Sequence, residues 1–463
     1  MRVRFLFLSV ALLVNAQGIV RAGGVSGDYL SPFAITSPWN VRPVAPVFGS
    51  YEIPKSDYFP SISEGKYSSG VFLAQRSDKP AEIFSLPGKP GVWDPDAEVY
   101  RTSIVIPHWP ASVIPAAGND GHADIVDPET GRIHSFYRLT KTEGQWRAQQ
   151  YAWTDLNGRG WGNPAHYFQG ARAAGVPTTG GLIRKHEIND GTSHYRHALA
   201  MSMTFNAMSA DPVYVYPATS GDRDAAKTNF GAIPEGALMM LPPSFRSEAI
   251  ANSDLRKVVE TLKIYGAYVV DRNHGTPFGI YVEIGSGFQL HRGGWDKQVA
   301  RDLDLIRASL RQVVSVAGWV DGNGDAMTME TNLNRLSMRG PWRMERGSVA
   351  GAFDTWAQAV LFPPAGERIE MVNRSGRSIT TVTWAKPQAG ERYRLTATGK
   401  GGAALRLRLY GAGGALQADS GELADGESSL ITWPAGAVAV VLHTYSGTSG
   451  ESSQIGGSLV AVE

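Results

Sequence analysis

Glycine and proline recur so closely along this chain that few stretches are left long enough for a helix. Fifty-three glycines and twenty-seven prolines cut its 463 residues into short runs, many of them aromatic. Such runs between turn formers read as strands. Two stretches escape the punctuation. Leu255, Val258, Val259, Leu262 and Tyr265 repeat at helical spacing, with Ser253 placed to cap the start and Gly266 to end it. Val299, Leu303, Ile306, Leu310 and Val313 do the same from Asp296 onward. Residues 164–174 form a candidate short helix, with Pro164 suited to the first turn and Gly175 to the stop. The expected fold is mainly β with a few helices: a β-sandwich or jelly-roll-like main body plus a smaller β module.

Particular strands can be placed. Residues 103–106 are strand-like, and residues 123–126 and 133–139 flank turn residues as a β-hairpin. Residues 146–153 supply the next strand, and the apolar run 197–204 reads as the buried centre of a sheet. Residues 267–271 and 278–283 are expected to form a second hairpin around Asn273-His274-Gly275. After Val372 the composition shifts to period-2 runs, with Leu405, Leu407 and Leu409 alternating with Arg406 and Arg408. This predicts a small C-terminal antiparallel β-sandwich over 373–463, an accessory module behind a main domain over 23–372.

The ends and the totals bound the class. Met1-Arg2-Val3-Arg4 followed by apolar residues 5–14, with small residues near Ala22, reads as a signal peptide over 1–22. Ten apolar residues are too few to span a bilayer, and no later stretch is long and apolar enough. A secreted protein, extracellular or periplasmic, is expected. With no cysteine, it is stabilised without disulfides, and a cysteine nucleophile or thiolate metal site is excluded. A net charge of +1 without a basic stripe argues against nucleic acid as a partner. No serine-hydrolase elbow, P-loop or strand-linked dinucleotide fingerprint is present.

Chemistry is expected in the middle third, where seven of the ten histidines lie between positions 108 and 197. His122, Arg184, Glu187 and His197, with Tyr195, Tyr137 or Tyr167, offer what β-elimination of a uronate-containing polysaccharide needs. Arginine neutralises the carboxylate, histidine exchanges a proton near neutrality, and tyrosine protonates the leaving oxygen. A glycoside hydrolase would instead pair Glu187 with Asp124, Asp127, Asp271 or Glu283. A histidine metal site from His122, His186, His194 and His197 ranks below both, because no His-Glu-x-x-His accompanies it. Asp321, Asn323 and Asp325 have the oxygen spacing of a Ca²⁺ loop, but Asn332 stands where an EF-hand places glutamate. Trp146, Trp153, Trp161 and Tyr167 are candidate stacking platforms for sugar rings.

Asp120-Gly121-His122, Gly180-Gly181-Leu182-Ile183-Arg184, Glu187 and His197-Ala198-Leu199-Ala200 together resemble a pattern in a group of secreted bacterial proteins. Trp39-Asn40 and residues 271–283 extend the resemblance over about 35–285. The resemblance implies export and fixes no activity. An acidic residue often stands in that pattern where this chain has Ser135, which implies that such an acid is not essential here. The leading expectation is a secreted polysaccharide lyase, with a glycoside hydrolase second and a non-catalytic glycan-binding protein third.

Overall fold

The computed structural model describes residues 26–462, so the expected signal peptide lies outside the described residues. The chain is mainly β, and its main body stacks three larger sheets and a helical layer, beside a small sheet of Arg42–Val44, Gly318–Val320 and Ala326–Met327. A seven-stranded sheet runs Val47–Phe48, Arg311–Ser315, Leu238–Met240, Ala267–Asn273, Leu199–Thr204, Phe278–Tyr281, Ser61–Ser63. A six-stranded sheet runs Gly70–Leu73, Ala123–Asp127, Arg132–Tyr137, Gln150–Asp155, Val92–Asp94, Val99–Arg101. Beyond it lies a four-stranded sheet containing Ala81–Ser85 and Ser103–Ile106.

The pleat explains the layering, because alternate side chains leave a strand on opposite faces. Leu199, Met201, Met239, Ala267 and Val269 face the helices and share a core with Leu255, Val258, Leu303 and Ile306. Their neighbours Ala198, Ala200, Met240, Tyr268 and Val270 face the six-stranded sheet and meet Val126 and Ile133. The helix Ser253–Ile264 forms where the apolar spacing places it, and Lys297–Ser309 forms at the start of the second apolar repeat but stops before Leu310, which is extended, and Val313, which belongs to the strand Arg311–Ser315. Asp296 caps the second through the amides of Gln298 and Val299. The first is capped by Asn252, one residue before Ser253, through the Leu255 amide.

The hairpin pairing Ala123–Asp127 with Arg132–Tyr137 is present. The second expected hairpin is not. Leu199–Thr204 lies between Ala267–Asn273 and Phe278–Tyr281, parallel to one and antiparallel to the other. Burial on both faces favours this central place, as all six of its residues are buried. Residues 164–174 form turns and no helix. Asn163 accepts the amides of Ala165 and His166, and Ala174 donates to Val270 of the sheet, so these backbone groups are satisfied outside a helix.

The C-terminal sandwich pairs two five-stranded antiparallel sheets, and their strands begin at Arg343–Arg346 and Ala352–Asp354. It therefore starts before the composition shift at Val372, which falls inside the strand Glu370–Asn373. Its core takes in Leu336, Met338 and Val360 along with Leu395, Leu405, Leu407 and Leu459. The earlier strands escape a composition-based boundary because Arg343–Arg346 is exposed throughout and lacks the apolar alternation of the later ones.

Candidate active-site cleft

A cleft of about 1270 Å³ opens between the seven- and six-stranded sheets, where the core they share gives out. Along one strand, the face that buries Ala198 and Ala200 turns Ser202 into the cleft. Opposite it the register slips: Met201 pairs with Val269, but Ser202 pairs with Asp271. That bulge lets Val270 close the core while the next residue, Asp271, reaches the cleft, which is how bulges commonly re-aim side chains beside sites. The loop 163–176 brings Tyr167 and Arg172, the turn before Ala123–Asp127 brings Asp120 and His122, and the segment 220–223 brings Asp222. Tyr58, Tyr67, Trp93, Tyr137 and Tyr281 complete an aromatic wall.

Arg172 is the electrostatic hub. Only 2% exposed, it donates from Nη1 to Asp271 Oδ2 and to the Tyr67 carbonyl, each at 3.2 Å, and lies 3.7 Å from the centre of the Tyr281 ring. Its Nη2 is buried and has no hydrogen-bond partner among the described residues. Burial pushes the Asp271 carboxyl up to about 7; Arg172 pulls it down, and the like charges of Asp222 and Asp120 push it further up. Asp222 and Asp120 are also raised, chiefly by burial. Beneath Asp222, whose amide donates to Glu235 Oε1 at 2.9 Å, the fully buried Glu235 is held well above the ordinary carboxylate range by desolvation and by Asp222. Burial and then Arg172 depress His122 well below the usual histidine range, so its imidazole is neutral; its Nδ1 has no partner among the described residues. Burial raises the phenols of Tyr137 and Tyr281.

Of the residues singled out from the sequence, His122, Tyr137, Tyr167 and Asp271 line this cleft. Arg184, Glu187, His197 and Tyr195 do not. Arg184 is 2% exposed, donating from Nε to Glu283 at 2.9 Å and from Nη1 to the Tyr29 carbonyl at 3.0 Å. Glu187 accepts from the Arg184 amide at 2.9 Å and meets His197 Nε2 at 3.1 Å. Tyr195 is buried, with the Lys257 ammonium 4.7 Å from its ring centre. These groups tie the segment 184–197 to the helix Ser253–Ile264 and to Glu283, and the polar density of that stretch is spent on holding it down.

The tryptophan platforms are likewise mostly core. Trp161 is fully buried, stacked on Trp39 at 4.8 Å. Trp153 is buried, stacked on Trp356, with the Arg132 guanidinium 4.6 Å from both ring centres. Trp146 packs on Trp109 against the four-stranded sheet, away from the cleft. Asp124 and Asp127, weighed as hydrolase partners, serve the fold: Asp124 accepts the amide and hydroxyl of Thr179, and Asp127 binds His108 Nδ1 at 2.9 Å. At the Ca²⁺ candidate, Asp321 Oδ1 accepts the amides of Asn323 and Asp325, which holds the turn closed on itself. Among the described residues no group of three or more histidine, aspartate or glutamate side chains is placed to hold a metal ion.

Sequence reasoning assigned Arg172 and Asp222 no role, and Asp120 entered only within the Asp120-Gly121-His122 pattern. Arg172 had a signal, as a lone charge in Ala171-Arg172-Ala173-Ala174. Asp222, in Gly221-Asp222-Arg223-Asp224, looks like any exposed turn.

No protein-family model matches the chain, and no curated protein matches it. Among solved structures, the enzymatically active domain of bacteriophage CBA120 tailspike protein 4 is similar at a TM-score of 0.19 and 12% identity, over 26% of this chain and 19% of that one. TmCBM61 in complex with β-1,4-galactotriose is similar at 0.18 and 15% identity, over 26% of this chain and 89% of that one. A CBM4 structure is similar at 0.17 and 18% identity, over 26% of this chain and 94% of that one. These likenesses are partial and too distant to bear on the cleft.

Proposed function

We propose that this cleft is the active site of a secreted enzyme that cleaves a polysaccharide, and that it does so by hydrolysis. One observation carries the reading: Asp271 lines an aromatic-walled cleft together with two further carboxyl groups, Asp222 and Asp120, and burial there pushes its carboxyl up to about 7. A general acid needs a proton affinity near the working pH, and carboxyls whose environments differ divide the acid and base roles. Asp271 donates its proton to the glycosidic oxygen as the C1–O bond breaks. Asp222 or Asp120, ionised, takes the proton of the water that bonds to C1, or itself forms the bond to C1. The rings of Tyr67, Trp93 and Tyr137 offer flat apolar faces to sugar C–H groups, and Arg172 orients the Asp271 carboxyl.

A second reading is β-elimination of a uronate glycan, for which the same cleft holds Arg172 to neutralise a substrate carboxylate, the neutral imidazole of His122 to take the C5 proton and Tyr137 to return a proton to the leaving oxygen. The arginine in this role is Arg172 in place of Arg184.

Asp271→Asn separates the readings. With wild-type circular dichroism retained, hydrolysis read as new reducing ends should fall about 10²–10⁴-fold. Full activity in this variant removes Asp271 from the acid role. Products absorbing as 4,5-unsaturated ends select the elimination reading, and binding without turnover reduces the cleft to a glycan-binding site.

A further inference from the structure

Beside the cleft lies a second recess of about 320 Å³, and Tyr58, Ser61 and Ser63 line both. Its far side is built from Phe59, His291, Trp295 and Leu303. The rings there are unusually open to solvent, with Tyr58 65% exposed, Phe59 50% and Trp295 59%. They are nonetheless ordered against one another. The His291 imidazole stacks on the Trp295 indole at 4.6 Å and 10°, and Phe59 meets the same indole edge-on at 5.2 Å. His291 Nδ1 accepts the Asp296 amide at 3.1 Å, which ties the stack to the cap of the helix Lys297–Ser309.

A large apolar side chain in water costs free energy unless a ligand or partner covers it, and clustered exposed aromatics mark binding sites. Here Tyr58, on the cleft rim, Phe59 and Trp295 line the recess together with the hydroxyls of Ser61 and Ser63. Flat rings accompanied by hydroxyls match the C–H faces and hydroxyl edges of pyranose units. The apolar area is small and interrupted, unlike the buried centre of a stable protein interface. From this geometry we infer that the ledge Tyr58–Phe59–Trp295 is a distal binding site for the same polysaccharide chain whose scissile unit lies in the cleft. This rests on the glycan reading above and deepens it, because the enzyme then engages a polymer over more units than the cleft alone holds.

The test uses Phe59→Ala, Trp295→Ala and the double variant, all at exposed positions, in the full chain. Polygalacturonate, alginate, xylan and mixed-linkage β-glucan serve as polymer probes in affinity electrophoresis. Tri- and tetrasaccharides cut from whichever polymer the wild type binds serve as the short probes. For that polymer the double variant should bind about tenfold more weakly, while turnover of the short fragments stays at the wild-type level. Unchanged polymer affinity in the double variant, or an equal loss on the short fragments, overturns the distal site. A wild-type protein that binds none of the four polymers overturns the glycan reading itself, and the ledge as a glycan site with it.

Discussion

In the proposed site the carboxyl of Asp271 is assigned to chemistry, whereas the pair Glu187–His197 lies outside the cleft. Asp271 must be protonated to act as the acid, so kcat/KM should fall as pH rises through about 7, and Asp271→Asn should lose that limb of the profile. A pH profile flat across this range would contradict the assignment. In the pair, burial disfavours charge on both partners, but their mutual attraction and hydrogen bond outweigh it. His197 is therefore raised from 6.5 and Glu187 lowered from 4.5. The raised histidine stabilises fully below 6.5, and this is lost as pH climbs through its folded value. The lowered glutamate stabilises fully above 4.5, and this is lost as pH drops through its folded value. Glu187→Gln should therefore cost about 2 kcal/mol near pH 5.5 and much less near pH 9, measured by urea unfolding. A cost that is the same at both pH values would mean that the pair does not carry the stability.

Elements convert these residues into a site, and glycine decides where they can approach. Gly181 has φ +66°, and a Cβ there would stand 2.5 Å from the Ala200 amide nitrogen and from the Trp39 indole. The segment 180–181 lies across that indole and against the central strand, so Gly181→Ala combines a strained backbone with a clash. It should lower stability by about 2–4 kcal/mol, read as a lower urea midpoint with unchanged slope. Wild-type stability in this variant would show that the strand and indole can part without cost. The close approach was legible as a Gly-Gly pair, but its partner was not. Helix positions were legible because a 3.6-residue period is written within a dozen residues. Strand partners were not, because Ala267–Asn273 and Phe278–Tyr281 adjoin in sequence yet are separated in the sheet by a strand from far upstream.

At the scale of the whole molecule, the C-terminal sandwich is part of the cleft's support and not a loose appendage. Arg339, 1% exposed, stacks its guanidinium 3.4 Å from the ring centre of Tyr167, a cleft residue. Trp356 stacks on Trp153, Thr355 accepts from the same indole at 3.2 Å, and Trp384 donates to the Ala218 carbonyl at 2.7 Å. Arg339 touches no reacting group and acts by positioning Tyr167. Arg339→Met should raise KM several-fold with kcat nearly unchanged and cost about 2 kcal/mol of stability. An equal fall in kcat, or no change in KM, would take Arg339 out of that role. The sequence by itself determined the mainly β character, two helices and the period-2 strands of the tail, since each is a local pattern of apolar spacing and turn residues. It also held the chemical types that the proposed glycan-cleaving site needs, though it pointed to Arg184 and His197 where polar density was highest. Only the tertiary structure decided that Asp120, Arg172, Asp222 and Asp271 share one cleft. Their meeting depends on sheet order, one bulge and the path of a turn-rich loop. Their proton affinities depend on how far that packing takes each charge out of water, and neither leaves a trace in local spacing.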